Sequence, residues 1–402
     1  MGLIVELERR AARNAHVLVV EAPGHWQTRA AVERAIIERG WTLASSPADA
    51  DVLAVCGEMG PRLAEAVEQV WHQLPGPRVR VEVWHRDEAL TRLDDAYAGL
   101  LDTTHHRSDA QSRPAAQDLL TDGDMGHGDM GHGDMGHGDM GHGDMDHGDM
   151  DHGDMDHGDM DHGDMDHGDM DHGDMDHGDM DHGDMEMSPG GIPLAEGGED
   201  RDGLEMDVLN VRLGPVLPHW PAGLVLCCAL QGDVVIQAEA EFLDAGMSHA
   251  VSPRNATARR MDNIVALLAL AGWGDAAAEA RVIRDCLLGG GPDAEASART
   301  ARLVRRIRRS RVLRWSLRGV RPLSEEDLRE HGLPTTLAGD TYHRLLRMLE
   351  EAETDVGGER ASTDQLGGLV TGLDLATARL VLASLDLHEL QSGAAERGAS
   401  HV

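Results

Sequence analysis

The residues with the plainest chemistry lie between Asp124 and Met185, where the pentads GDMGH and then GDMDH repeat without a break. The imidazoles are His127, His132, His137, His142, His147, His152, His157, His162, His167, His172, His177 and His182. The thioethers are Met125, Met130, Met135, Met140, Met145, Met150, Met155, Met160, Met165, Met170, Met175, Met180 and Met185. Thioether sulfur selects Cu(I), imidazole suits Cu(II), Ni(II) and Zn(II), and carboxylate accepts almost any divalent ion. The set therefore favours copper or silver over magnesium or calcium, and its imidazoles also admit nickel. Glycine in every pentad leaves the backbone free to bring neighbouring pentads onto one ion. A period of five fits neither helix nor strand, so the segment is expected to order only when metal folds it. The same composition also fits a solvated acidic spacer grown by expansion of a short repeat, whose carboxylates would draw cations in any case.

Elsewhere the candidate groups are sparse. The four cysteines, Cys56, Cys227, Cys228 and Cys286, are too few and too irregular for a disulfide framework, and the adjacent pair cannot easily bridge itself. Cys227 and Cys228 should alternate across a strand, one inward as a small core residue and one outward, or else hold a soft metal. His25 and His85 follow predicted strands, where ligands sit, but a lone histidine there is ordinarily polar surface. The stretch Arg299 to Arg321 carries Arg302, Arg305, Arg306, Arg308, Arg309, Arg311, Arg314 and Arg318. Leu303, Val304, Ile307, Val312, Leu313, Trp315 and Leu317 interleave with them, which predicts one buried stripe with a solvated basic rim. The basic residues could face nucleic acid or anionic lipid, but the rim better suits an acidic partner subunit or the acidic repeat, and nucleic acid is not the expected ligand. No Ser/His/Asp or Cys/His constellation can be assembled.

The elements that must position these groups fall on either side of the repeat. Of the formal net charge of -36, the repeat contributes 21 aspartates and no cation, leaving -15 for the rest of the chain. Before the repeat, apolar runs His16 to Glu21, Val52 to Cys56 and Val79 to Val83 alternate with helical periods near Gln27 to Arg39, Pro61 to Gln73 and Asp87 to Leu101. That alternation predicts a small parallel sheet with helices on its faces, a flavodoxin-like α/β domain over 1–103. The strand ends read Ala22-Pro23-Gly24-His25 and Gly57-Glu58-Met59-Gly60-Pro61, neither of them a nucleotide fingerprint. Residues 104–203 read as a low-complexity linker around the repeat at 124–185. Residues 204–392 read as an α+β, mostly helical domain and 393–402 as a tail. Its β segment holds MDVLNVRLGP, GLVLCCAL and VVIQAEAEF, the last two joined through Gln231-Gly232-Asp233 as a hairpin. Helices follow over Ala256 to Ala271, Gly274 to Leu288, Ala298 to Leu317, Ser324 to Glu330, Gly339 to Glu353 and Thr363 to Leu390, with Ser324 as a cap. The amino terminus carries charges inside its apolar stretch, and no window is apolar enough for a membrane span. A cytoplasmic chain, soluble or peripheral on the inner face of the membrane, is expected.

Two resemblances sharpen this reading. ADADVLAVCGEMGPRLAEAVEQVWHQLPGPRVRVEV, from Ala48 to Val83, resembles the small, cluster-bearing B-type subunit of respiratory NADH:quinone oxidoreductase and of membrane-bound hydrogenases, including its corner at Gln73-Leu74-Pro75-Gly76-Pro77. VRLGPVLPHWPAGLVLCCALQGDVVIQAEAEF, NATARRMDNIVALLALAG, LRWSLRGVRPLSEEDLREHGLPTTLAG and LVLASLDL resemble the large D-type, quinone-site subunit, related to the nickel-iron hydrogenase large subunit. This second likeness covers most of Met206 to Leu390, discontinuously. The repeat is similar in composition to the Met/His/Asp tracts of bacterial copper-resistance proteins.

The departures carry the functional implication. The cluster cysteines of the B-type family are missing, with Gly24, His25 and Trp26 in the region of the paired cysteines and Trp84 and His85 after the third strand. In the D-type turn, Leu217 stands where the family has a quinone-contacting histidine, His219 is shifted by two positions, and the second family histidine aligns near Pro221. The resemblance implies Gly214, Pro215, Pro218 and His219 as the remnant of a quinone-site turn, with no iron-sulfur cluster, since a cluster needs about four converging thiolates. The expected function is a peripheral, non-catalytic subunit of a complex-I-like or hydrogenase-like assembly, its partners being membrane and peripheral subunits and soft metal ions. Alternatives are a copper- or nickel-sequestering protein and an active NADH:quinone oxidoreductase subunit.

Overall fold

The computed structural model describes residues 2–113, 196–199, 205–244, 256–290, 293–330, 333, 335–354 and 365–387. By backbone contact the chain divides into Met1–Pro114 together with Leu194–Val402, and Ala115–Pro193. The repeat, with all its candidate metal ligands, lies outside the described residues.

The first half runs α1 (Gly2–Ala12), β1 (His16–Glu21), α2 (Trp26–Glu38), β2 (Thr42–Leu43), β3 (Val52–Cys56), α3 (Pro61–Gln73), β4 (Val79–Val83), α4 (Ala89–Leu100) and α5 (Thr103–Ser112). Its four strands are all parallel, in the order β2-β1-β3-β4. Every residue of β3 is buried, because helices cover both faces, which is why its sequence is a continuous apolar run with no alternation. Val32 and Ile36 of α2 and Leu93 of α4 pack on one face. Leu63 and Val67 of α3 pack on the other, joined there by Val216 from the second half. Helix α5 falls inside the span read as linker; it is polar all round and carries no apolar stripe. What holds it is Asp102, which accepts from the Thr104 and His105 amides at 3.0 Å, and Asp109, which pairs with Arg78 at 2.9 Å.

The second half opens with an antiparallel sheet, β5 (Glu196–Glu199), β6 (Glu205–Leu213), β7 (Leu224–Gln231) and β8 (Val234–Phe242), in sequential order. The expected hairpin joins β7 to β8 through Gly232, whose φ of 60° is the reason for glycine there. The remaining elements are helical: α6 (Ala256–Leu270), α7 (Gly274–Leu288), α8 (Asp293–Arg309), α9 (Arg311–Leu317), α10 (Glu325–Glu330), α11 (Thr341–Thr354), α12 (Leu366–Val370) and α13 (Leu375–Ala383). Helices α6, α7, α8, α9 and α11 share one apolar core, around Met261, Leu267, Ile283, Leu303 and Leu345. The sheet shares another with α10, α12 and α13, around Leu224, Leu226, Leu328, Leu369 and Leu382. Ser324 begins α10 as a capping box: its hydroxyl accepts from the Asp327 amide at 3.1 Å while the Asp327 carboxylate accepts from the Ser324 amide at 2.7 Å.

Two helices expected to be continuous are broken. The arginine-rich helix stops at Arg309 and restarts at Arg311, because Ser310 leaves helical geometry and its hydroxyl accepts from the Leu313 amide at 3.2 Å. The break shifts the helical phase, so Leu313 and Leu317 stay in the core while Val312 and Trp315, expected in the buried stripe, face outward at 75% and 83% exposure. The last helical stretch is divided at Gly372, which has φ 82°, and restarts at Asp374, whose side chain accepts from the Thr377 amide at 2.9 Å.

Candidate functional site

In an open parallel sheet, ligands bind outside the carboxyl ends of the strands, at the point where the strand order reverses. Here that point lies between β1 and β3, and the chain fills it with protein. The His25 ring rests on Gly57 so closely that a Cβ there would meet its Cγ at 2.1 Å. Pro23 packs against Gly223 of the second half. Asp244, also from the second half, lies over Gly60 and accepts from the Leu63 amide at 3.0 Å, supplying the cap that α3 lacks locally. Arg62 forks onto both oxygens of Glu241 at 2.9 Å. His25 thus serves packing, whereas His85 is exposed at the far end of β4.

Behind this closed crevice lies a buried charge network among α2, α6 and α7. Arg29 of α2 bonds to Glu21 at the end of β1, to Glu33 one turn on, and to Asp262 of α6. Arg284 of α7 reaches Glu33 and Asp262 at 2.7 Å each, and pairs with Asp285 at 2.9 Å. Arg284 is wholly buried and Asp262 is 4% exposed. Burial pushes the Glu21 carboxyl above its ordinary value, against the pull of Arg29. At Glu33 burial acts the same way, but Arg29 and Arg284 outweigh it and hold the carboxyl below its ordinary value. Two arginines bonded to four carboxylates, with Glu33 and Asp262 common to both, make a rigid joint, since removing any one charge leaves its partners unmatched in a low dielectric.

Glu21, Arg29, Glu33 and Asp262 of the network line a cavity of about 200 Å³. The turn from Pro215 to Ala222 lines it too, together with β1, Leu43 to Ser45, Leu382 and Leu387. The turn is held by Gly214, with φ 84° and a Cβ position 2.3 Å from the Leu224 carbonyl oxygen, so no larger residue fits. Trp220 locks it by donating from Nε1 to that carbonyl at 2.7 Å, and Arg379 donates to the Pro218 carbonyl at 2.7 Å. Of the residues expected as a quinone-turn remnant, Pro215, Pro218 and His219 line the cavity and Gly214 sits just behind it. His219 has φ 58° and keeps accessible surface, yet loss of solvation beside so much protein lowers its imidazole pKa, with the Glu33 carboxylate pulling the other way. The amide Oδ1 of Asn263, 1% exposed and lining the same space, has no hydrogen-bond partner among the described residues.

A space of this size falls below the roughly 300–1,000 Å³ of sites for drug-sized ligands. It accommodates a single ring or a few waters, with a lining part aliphatic and part charged and hydrogen-bonding. Sequence reasoning found the turn through its Gly-Pro and histidine pattern but missed Glu21, Arg29, Glu33, Asp262 and Arg284. A signal was present: Arg259, Arg260, Asp262 and Asn263 crowd the first half of α6 and all are buried, and Arg29 and Glu33 stand four apart on the face of α2 that carries Trp26.

The cysteines do not fit a cluster. Cys56 is buried in β3, where burial pushes its thiol far up; Cys227 is exposed and Cys228 buried on opposite faces of β7; and Cys286 lies on α7. Burial holds the Cys228 thiol up at about 11, so it is inert core, as its alternation with Cys227 suggested. Among the described residues no group of three or more His, Cys, Asp or Glu is placed to hold a metal ion. No protein-family model, curated protein or solved structure matches this chain.

Proposed function

We propose that this chain is a peripheral, non-catalytic subunit of a membrane assembly related to NADH:quinone oxidoreductase or membrane-bound hydrogenase, its halves corresponding to a B-type and a D-type subunit. The observation that supports it most is the cavity wall. Leu217, which stands where the resemblance places a quinone-contacting histidine, and Pro221, near where it places the second histidine, both line the cavity, so the turn presents aliphatic carbon in place of imidazole. The closed crevice at the strand ends and the scattered cysteines agree with a body kept for attachment and not for electron transfer. No helix among the described residues is long and apolar enough to cross a membrane, and the proposed location is the cytoplasmic face, held by partner subunits. Affinity purification of the full chain from detergent-solubilised membranes tests the reading, with membrane-embedded quinone-reductase or hydrogenase subunits expected to co-purify. Iron-sulfur absorbance, or oxidation of NADH by the isolated chain, would overturn it.

The repeat favours a second reading, a store for copper or nickel ions with the folded halves as its support. Its observation is the density of donors, 12 imidazoles and 13 thioethers within 62 residues. Recovery of the chain alone, with several copper or nickel ions bound, would favour it. Calorimetric titration against a control with the repeat's Met changed to Leu and His to Gln separates specific binding from simple counter-ion attraction; equal heats would leave only a spacer.

A further inference from the structure

The break at Ser310 builds a surface that the proposed function does not use. From Ala296 to Ser324 the chain contains ten arginines and no carboxylate. Three of these arginines are paired at its margins, Arg299 with Glu295, Arg306 with Glu279 and Arg308 with Glu350. Arg302, Arg309, Arg311 and Arg318 are exposed and form no ion pair among the described residues. Amid them stand Val312 and Trp315, one turn apart on α9 and the two most exposed of the large apolar side chains described. A neighbouring hollow is lined by Trp273, Arg302, Arg305, Arg306, Arg309 and Ser310.

We infer that this face of α8 and α9 docks on an anionic lipid surface, with Trp315 and Val312 entering the headgroup layer and the unpaired arginines meeting lipid phosphates. Charge alone would suit any polyanion, including the acidic repeat. Lipid is favoured because the surface presents an exposed tryptophan and a branched aliphatic encircled by guanidinium groups, and an interface of headgroup over hydrocarbon offers both kinds of partner at once. The net charge of the chain does not oppose this, because the attraction is local: charges beyond a Debye length of roughly 8–10 Å are screened. This inference goes beyond the subunit reading and stands or falls without any partner subunit.

Co-sedimentation of the full chain with vesicles tests it. The chain should pellet with phosphatidylcholine containing about one-third phosphatidylglycerol and stay in solution with phosphatidylcholine alone, and raising the salt from about 0.1 M to about 0.5 M should release it. Val312→Ser with Trp315→Ala should weaken partitioning roughly tenfold, and Arg309→Gln with Arg311→Gln and Arg318→Gln roughly a hundredfold. All five side chains are exposed, and an unchanged urea midpoint verifies that each variant is folded. Failure of the parent chain to pellet with anionic vesicles overturns the inference. So does pelleting that the Val312 and Trp315 changes leave untouched, which would mark a purely electrostatic face for an acidic protein or nucleic acid.

Discussion

Arginine does opposite work in two regions of this molecule. At the joint of α2, α6 and α7, Arg29 and Arg284 are enclosed and every carboxylate near them is engaged. Along α8 and α9, Arg302, Arg309, Arg311 and Arg318, of the same intrinsic chemistry, stand in solvent with no ion pair among the described residues. Burial is what separates them. An enclosed guanidinium must be matched because desolvation is costly, and once matched it fixes geometry; an exposed one contributes little to folding and remains available to something outside.

The largest expected effect breaks the buried side of this contrast. Arg284→Met removes the guanidinium that Asp262 and Glu33 both bond at 2.7 Å in a buried interior, and should cost about 3–5 kcal/mol in urea unfolding; a loss below about 1 kcal/mol would mean that water reaches the network. Arg344 sharpens the point, since it is 1% exposed yet bonds only to neutral groups: Ser384 Oγ at 2.8 Å, Thr341 Oγ1 at 3.0 Å and the Gly339 and Arg321 carbonyls. Burial pushes its pKa down to about 10, with Asp340 resisting. Arg344→Met should cost about 2–3 kcal/mol through orphaned acceptors, less than Arg284→Met because no charge is stranded.

Asp109 lies between the extremes. Hydrogen bonds from Arg78 first, then Arg113, hold its carboxyl down at about 2. Its folded value is below its unfolded one, so the stabilisation is present at neutral pH and fades as pH falls from about 4 towards 2. Asp109→Asn should therefore lose about 2 kcal/mol at pH 7, and the parent and variant urea midpoints should converge across that acid window. A gap unchanged down to pH 2 would assign the effect to packing. Smallest of all, Arg309→Gln with Arg311→Gln should shift stability by no more than about 0.5 kcal/mol. A larger loss would show that these side chains have an internal partner.

Much of the architecture could be read from residue patterns. The apolar runs at His16, Val52 and Val79 are strands at the expected places, and the expected hairpin is present, with Gln231 still in its strand and only Gly232-Asp233 in the turn. Patterns failed where stability comes from a distance. Helix α5 has no stripe to detect, and it is held by Asp109 reaching Arg78. Ser310 looks like one more polar residue in an arginine-rich helix until its hydroxyl is seen capping a new one. The turn at Gly214 was singled out through the family resemblance, but the charges that share its cavity come from Glu21, Arg29 and Glu33 far upstream and from Asp262 on a later helix.

What the sequence determined by itself is local and periodic: the parallel α/β half, the mostly helical second half, and the donor-rich repeat between them, because propensity, burial pattern and ligand type are properties of short stretches. Tertiary structure alone decided that the strand-end crevice is closed by the second half, that Arg29, Glu33, Asp262 and Arg284 form one network beside a small cavity, and that Val312 and Trp315 face out. Each of these depends on which distant surface comes to lie against a residue, and desolvation, not residue type, then fixes whether a charge or an apolar group is held inside or left for another molecule to meet.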